Sequence, residues 1–250
     1  DYLSKPFYEL ELLNTIEARI KKIKSLKKEF SQDSKGIQAF IQEAELINKL
    51  SSLTSDRKLY TYSQGEFIFR DGDFANFIYF VEKGSVKTYK HNDHHKELIL
   101  EIYNKGDFFG YQAVLEDREY SVFAASLEDT EIYKIPKEDF LKLLYGNPAV
   151  ASRFIKMISR NLSDKEEQLV KLAYDSVKKR VAGQLVKLCE SNPENTIHLS
   201  RGDFANLIAT SKETLVRVLS SLKEDGIIDS DGTNIIILEI SKLIELQKWS

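Results

Sequence analysis

The chain has 250 residues, 42% of them hydrophobic and 30% charged, with a net charge of −3. That balance excludes a disordered chain, and no apolar run approaches the ~20 residues a membrane span needs. The single cysteine, Cys189, excludes an internal disulfide, a four-cysteine zinc site and a cysteine-held iron–sulfur cluster, and it fits a reducing cytoplasm. The start, Asp1-Tyr2-Leu3-Ser4-Lys5, carries neither a basic segment nor an apolar signal core, and its lack of Met suggests a fragment or a processed form.

In chain order, residues 9–30 place Leu13, Ile16, Ile20 and Ile23 at steps of three and four, which predicts an amphipathic helix. A break at 31–36 precedes a second short helix over 37–53. The pattern then changes. Five of the 11 glycines lie between Gly65 and Gly110, among short runs rich in β-branched and aromatic residues. In "EFIFRDGD", alternation puts Phe67 and Phe69 on one strand face and Ile68 on the other. Many short strands at such spacing predict an antiparallel roll or barrel. After Pro148 the helical period returns. Phe154, Ile158, Leu162, Leu169 and Leu172 form an apolar stripe on a long helix to Tyr174, of the kind buried against a partner helix. A further helix is predicted over 176–190, then two short ones, then a hairpin in "GIIDSDGTNIIILEI".

The segment "HLSRGDFANLIATSKETLVRVLSSLKEDGII" is the most informative. Ser200 suits the N-cap of its first helix, with Asp203 three residues on, and Thr210 or Ser211 suits the cap of the second. Ala205 is small where two helices must cross. Leu207, Ile208, Leu215, Val218, Leu219 and Leu222 are the expected shared core. Lys212, Glu213 and Arg217 project from the first turns of the second helix. In a helix-turn-helix those turns reach base edges in the major groove. There Arg and Lys bond guanine O6 and N7, and Glu accepts from cytosine N4. Ser200, Arg201 and Ser211, at helix starts, suit phosphate contact.

From about Phe40 onward the chain resembles the cyclic-AMP receptor/FNR (Crp/Fnr) class of transcription regulators. "TSKETLVRVLSSLKEDGII" carries most of the likeness, supported by "YSQGEFIFRDGD", "YFVEKGSVKTYK" and "KGDFFG". The resemblance implies an α+β chain, preceded over 1–36 by a receiver-type helix and linker that a separate likeness supplies. A cyclic-nucleotide-binding-like β-roll follows over 37–147, then a dimerisation helix over 148–174 and a winged helix-turn-helix over 175–250. It further implies a homodimer on a palindromic double-stranded operator, with Lys212, Glu213 and Arg217 as base readers, a TGTGA-like half-site, and RNA polymerase as a partner. Nucleotide-binding members of the class carry a glutamate and an arginine where this chain has Tyr111 and Tyr120, and a Thr-Ser pair where it has Lys165 and Glu166. Gly110, Tyr111, Tyr120 and Ser121 thus outline a degenerate pocket, and cAMP is not the expected ligand. A buried phosphate without its arginine loses a bidentate, charge-assisted pair.

"DYLSKPF" followed by "ELLNTIEARI" resembles the end of a response-regulator receiver domain. That likeness makes Lys5, beside Pro6, the remnant of a phosphorylation switch and implies a sensor histidine kinase upstream. His91, His94 and His95 read as a solvated hairpin tip rather than a metal site, and Cys189 as core. With no Walker-type loop, HExxH or nucleophile elbow, no enzyme, cofactor or metal site is expected. The reading is a cytoplasmic, two-component DNA-binding regulator that does not use cAMP. The alternatives are a regulator gated by another ligand in the roll, or an interaction module that does not bind DNA.

Overall fold

The computed structural model describes residues 53, 54, 57–190, 195–231 and 234–248. Lys5, the helix expected over 9–30 and all but the last residue of the one expected over 37–53 lie outside the described residues.

Eight short strands build the first half: β1 (Leu59–Tyr62), β2 (Phe67–Phe69), β3 (Phe77–Lys83), β4 (Ser85–His91), β5 (Glu97–Asn104), β6 (Phe108–Phe109), β7 (Phe123–Ser126) and β8 (Thr130–Pro136). They pair antiparallel into two four-stranded sheets, ordered β1-β8-β3-β6 and β2-β7-β4-β5. Ile78, Val81, Val86, Phe109, Ala124, Ile132 and Ile135 fill the roll and are fully buried. The period-2 rule holds where it matters most. Ala124 belongs to this core, while its neighbour Ala125 joins Tyr89 and Ile99 in a small separate cluster on the other face of the same sheet. Tyr89, two residues on from Lys87, lies on that outer face opposite Phe123, and the pairing with β5 shifts register beside it.

β2 departs from the expected alternation. Ile68 and Phe69 are both buried, and Phe67 is exposed beneath the Arg70 guanidinium, 4.5 Å from its ring centre. The register shifts between Phe67 and Phe69, so a simple two-residue period does not apply there.

α1 (Tyr111–Leu115) and α2 (Lys137–Gly146) flank the roll, and α3 (Pro148–Tyr174) leaves it. Asn147 caps α3 by accepting from the Ala149 and Val150 N–H groups at 3.1 and 3.2 Å, and Pro148 occupies the first turn, where no N–H is missed. One member of the expected stripe is claimed elsewhere. Phe154 packs edge-on against Phe140 and Tyr111 of its own roll. Ile155, Ile158, Leu162, Leu169 and Leu172 remain exposed along α3, as do Val170 and Tyr174 near its end.

The second half has its own core. α4 (Val177–Glu190), α5 (Arg201–Leu207) and α6 (Lys212–Glu224) pack with β9 (Thr196–His198), β10 (Ile228–Asp231), β11 (Asn234–Ile237) and α7 (Ile240–Lys248). The strands form one antiparallel sheet ordered β10-β11-β9. The expected hairpin is β10 and β11, whereas β9 and α7 were not foreseen. α7 buries Leu243 completely against α4. The whole is the expected α+β arrangement of β-roll, long helix and C-terminal helix-turn-helix.

Candidate nucleic-acid interface

α5 and α6 are joined by a tight turn in which Ala209 adopts a left-handed φ of 53° and the Thr210 N–H donates to Ala205 O at 3.0 Å. Ala205 is buried where the helices cross, and Leu215, Leu219 and Leu222 seat α6 on the core. Leu207 is only half-buried and reaches both this core and the small Tyr89–Ile99–Ala125 cluster of the roll. It is thus not wholly part of the helix pair's own core, as the spacing alone suggested.

Of the two candidate caps, Ser211 holds α6. Its hydroxyl accepts from the Thr214 N–H at 3.1 Å and donates to Thr214 Oγ1 at 3.0 Å. Lys212, Glu213 and Arg217 are all exposed on the first turns of α6. Hydrogen bonds from its own backbone N–H and from Ser211 hold the Glu213 carboxyl below its usual range. This acid therefore leans on the helix N-terminus, where the dipole favours it, and Lys212 and Arg217 dominate the outer face. At α5, Ser200 accepts from the Asp203 N–H at 3.0 Å and donates to Asp203 Oδ2 at 2.6 Å. Arg201 beside it is half-buried.

The other expected site is inside the roll. Gly110 has φ +78°, and a Cβ there would lie 3.1 Å from the Tyr79 ring and 3.3 Å from Tyr120. Tyr120 is 3% exposed, turned inward with its ring stacked on Phe69 at 3.8 Å. Its hydroxyl donates to Phe77 O. Burial pushes its phenol up, with smaller hydrogen-bond contributions from Tyr79 and Phe77 pulling the other way. Tyr111 points instead to α3, where its ring meets Phe154 edge-on and its hydroxyl accepts from Asn161 Nδ2 at 2.9 Å. Lys165, at a position expected to face an adenine, bonds Leu100 O at 2.5 Å and pairs with Glu101 of β5. Ser121 lies at the rim of a shallow concavity of about 590 Å³ that also touches Arg118 and Lys137. Arg118 pairs with Glu116, and Lys137 with Asp117. Where the class places a phosphate-binding arginine, a buried phenol stands, so these residues do not fit a cyclic nucleotide. No buried side-chain polar atom among the described residues is left without a partner to await a ligand.

His94 and His95 sit in the exposed β4–β5 turn, where Asn92 Oδ1 accepts from the His94 and Lys96 N–H groups. The His91 ring lies against Phe123 and Tyr89. Cys189 is buried, its thiol donating to Asn195 Oδ1 at 3.2 Å. No described helix is long and apolar enough to cross a membrane.

A β-roll joined by a long helix to a winged helix-turn-helix defines a transcription regulator. Residues 59–147 match the Cyclic nucleotide-binding domain and residues 179–246 the Crp-like helix-turn-helix domain. The chain is 30% identical over 185 residues to the Cyclic AMP receptor protein of Thermus thermophilus, an alignment covering 74% of this chain and 86% of that protein. It is 26% identical over 190 residues to the Transcriptional activator protein anr of Pseudomonas aeruginosa, covering 73% and 78%. Its fold resembles that of FixK2 from Bradyrhizobium japonicum, with a TM-score of 0.71 at 22% identity over 78% of this chain and 98% of that one. The chain belongs to the Crp/Fnr family of DNA-binding transcription regulators, whose members bind DNA as dimers.

Proposed function

We propose that this regulator reads a palindromic operator with α6 and takes its input from outside the nucleotide pocket. The observation that carries the first half is the exposed start of α6, capped by Ser211 and presenting Lys212 and Arg217 outward while its apolar face is locked into the core. Lys212 and Arg217 would donate to guanine O6 and N7, and Glu213 would accept from cytosine N4. Ser200, Arg201 and Ser211 would hold phosphates and so position the helix without reading sequence. In a two-fold dimer the reading helices address half-sites about one helical turn apart. The likeness of these residues to the class favours a TGTGA-like half-site.

The second half rests on Tyr111 and Tyr120. Each replaces a charged nucleotide-holding group and is engaged by the protein itself. A receiver domain ahead of Asp1, phosphorylated by a sensor histidine kinase, is the input that the "DYLSKPF" segment supports, with Lys5 as its switch lysine. RNA polymerase is the expected downstream partner and the cytoplasm the expected site of action. The test is selection of an operator from random duplex DNA, followed by two variants. Arg217→Ala should lose about 1–3 kcal/mol and relax preference at one base pair per half-site. Arg201→Ala should weaken all sequences alike and flatten the salt dependence. If Arg217→Ala retains the parent's affinity and preferred sequence, α6 does not read the operator.

A further inference from the structure

The chain passes from α3 to the helix-turn-helix through Asp175 and Ser176, the two residues between Tyr174 and Val177. Arg180 braces that link, donating to Asp175 O at 2.8 Å and to Ile208 O at 3.2 Å. So short a joint narrows the bearings open to the reading helix, and the domain's contacts with the roll select among them. Beside the Lys187–Glu101 pair between α4 and β5, 3.9 Å apart, and the packing of Ile102 and Leu127 against the domain's core, one face of α5 holds it. Asp203 and Leu207 are four residues apart, on one side of the helix, and both meet the roll. Leu207 enters the Tyr89–Ile99–Ala125 cluster. Asp203 Oδ1 meets the Lys87 ammonium at 2.6 Å, and the same ammonium meets Glu97 Oε1 at 2.6 Å.

The three charged side chains are only 14%, 19% and 21% exposed for Lys87, Glu97 and Asp203, so the pairing is shielded from the screening that makes surface pairs weak. The second oxygen of Asp203 accepts from Ser200, the cap of α5, which fixes the carboxylate's orientation. Lys87 and Ala125 are opposite partners in the β4–β7 ladder, so the ammonium and the apolar cluster lie on one sheet face and grip α5 together. With the domain held this way, Lys212, Glu213 and Arg217 are all exposed. The docked arrangement leaves the reading face open.

We infer that Lys87, a residue of the roll remote from the reading helix, is a positioning residue for DNA reading: its pairing with Asp203 sets the separation and tilt of the two reading helices in a dimer. This rests on the reading of α6 as the recognition helix. A two-site operator is read best when both helices are already at the right spacing, because the second contact then costs no ordering.

The experiment compares the selected operator with versions carrying one base pair more or fewer between half-sites, at fixed salt. Lys87→Met keeps the stem of the side chain and removes the charge. It should lose about tenfold in affinity for the parent spacing and lose most of the parent's discrimination against altered spacings, with the same preferred bases. Lys87→Arg should restore both. Leu207→Ala loosens the same grip without stranding a charge and should broaden spacing tolerance in the same way, which keeps the inference open to test if Lys87→Met does not fold. A parent protein that selects an operator through Arg217, but whose Lys87→Met and Leu207→Ala forms keep its affinity and spacing preference, overturns this inference alone. A parent that selects no operator overturns the DNA reading and this inference with it.

Discussion

At Gly84 the chain turns from β3 to β4 with φ +82°, and a Cβ there would stand 2.6 Å from Thr130 Oγ1 and 2.8 Å from Asp129 O. Thr130 cannot yield cheaply, since it is buried and its hydroxyl is shared between Ser85 O and Glu128 O. Gly84→Ala should therefore destabilise the protein by about 3 kcal/mol, combining left-handed strain with a backbone clash; urea unfolding with an unchanged midpoint would contradict this. Tyr120 is the second position where one side chain decides much. Tyr120→Ala removes a ring stacked on Phe69 and should cost about 3–5 kcal/mol, yet it should not create nucleotide binding, because no cation replaces the ring. For the parent, calorimetry should find cAMP and cGMP no tighter than about millimolar, and micromolar binding would show that the roll retains a nucleotide site. That an arginine is missing at Tyr120 is legible from the residue itself. That the phenol turns inward and fills the space is not, because stacking depends on Phe69, Tyr79 and Phe109 arriving from other strands.

Helix α3 presents the same contrast between period and partner. Five of its apolar residues, Ile155, Ile158, Leu162, Leu169 and Leu172, fall into a heptad seam and are exposed in the single chain. Two such seams bury each other in a parallel pair, which is the expected dimer contact. Leu162→Glu or Leu169→Glu places a carboxylate at the centre of that seam and should give monomers by light scattering. A dimer that survives both changes has its interface elsewhere. Spacing alone assigned Phe154 to this seam and left out Ile155. The two residues are adjacent at the edge of a broad apolar arc, and only the rings of Tyr111 and Phe140 decide which of them the roll takes.

For the molecule as a whole, the docking of roll and helix-turn-helix depends on charge as well as on apolar contact. Burial pulls the Lys87 ammonium down, but hydrogen bonds and charge from Asp203 and Glu97 outweigh it and leave the group above its ordinary 10.5. A group raised in the folded state contributes stability that is complete below its unfolded value and lost as the pH rises through the folded one. The Lys87 contribution should thus be constant from about pH 7 to about pH 9.5 and fall only at higher pH. The groups facing it are Asp203, Glu97 and the ring of Tyr89, whose own phenol burial raises. Fluorophores on α6 and on β8 should report a constant separation over that range in the parent. A separation that grows between about pH 7 and 9 would mean that some other group governs the docking.

The sequence by itself determined the order of parts: a turn-rich stretch of short strands, a long amphipathic helix, a capped helix pair and a hairpin. These follow from periods of 2 and 3.6, from glycine positions and from capping residues, all of which act over a few neighbours. It also determined the crossed helix pair of α5 and α6, because Ser211, Ala205 and the spacing of Leu215, Leu219 and Leu222 are local requirements of two crossed helices. Only the tertiary structure decided what lies between the parts. β9 and α7 escaped notice because three residues of strand and nine of helix have too little pattern of their own and are stabilised by β11 and α4. Ile68 and Phe69 share burial because a register shift overrides alternation. Lys87 reads as an ordinary surface lysine of a β-strand. It becomes a joint between two domains because Asp203, 116 residues away in the chain, is brought to it by packing that no local rule encodes.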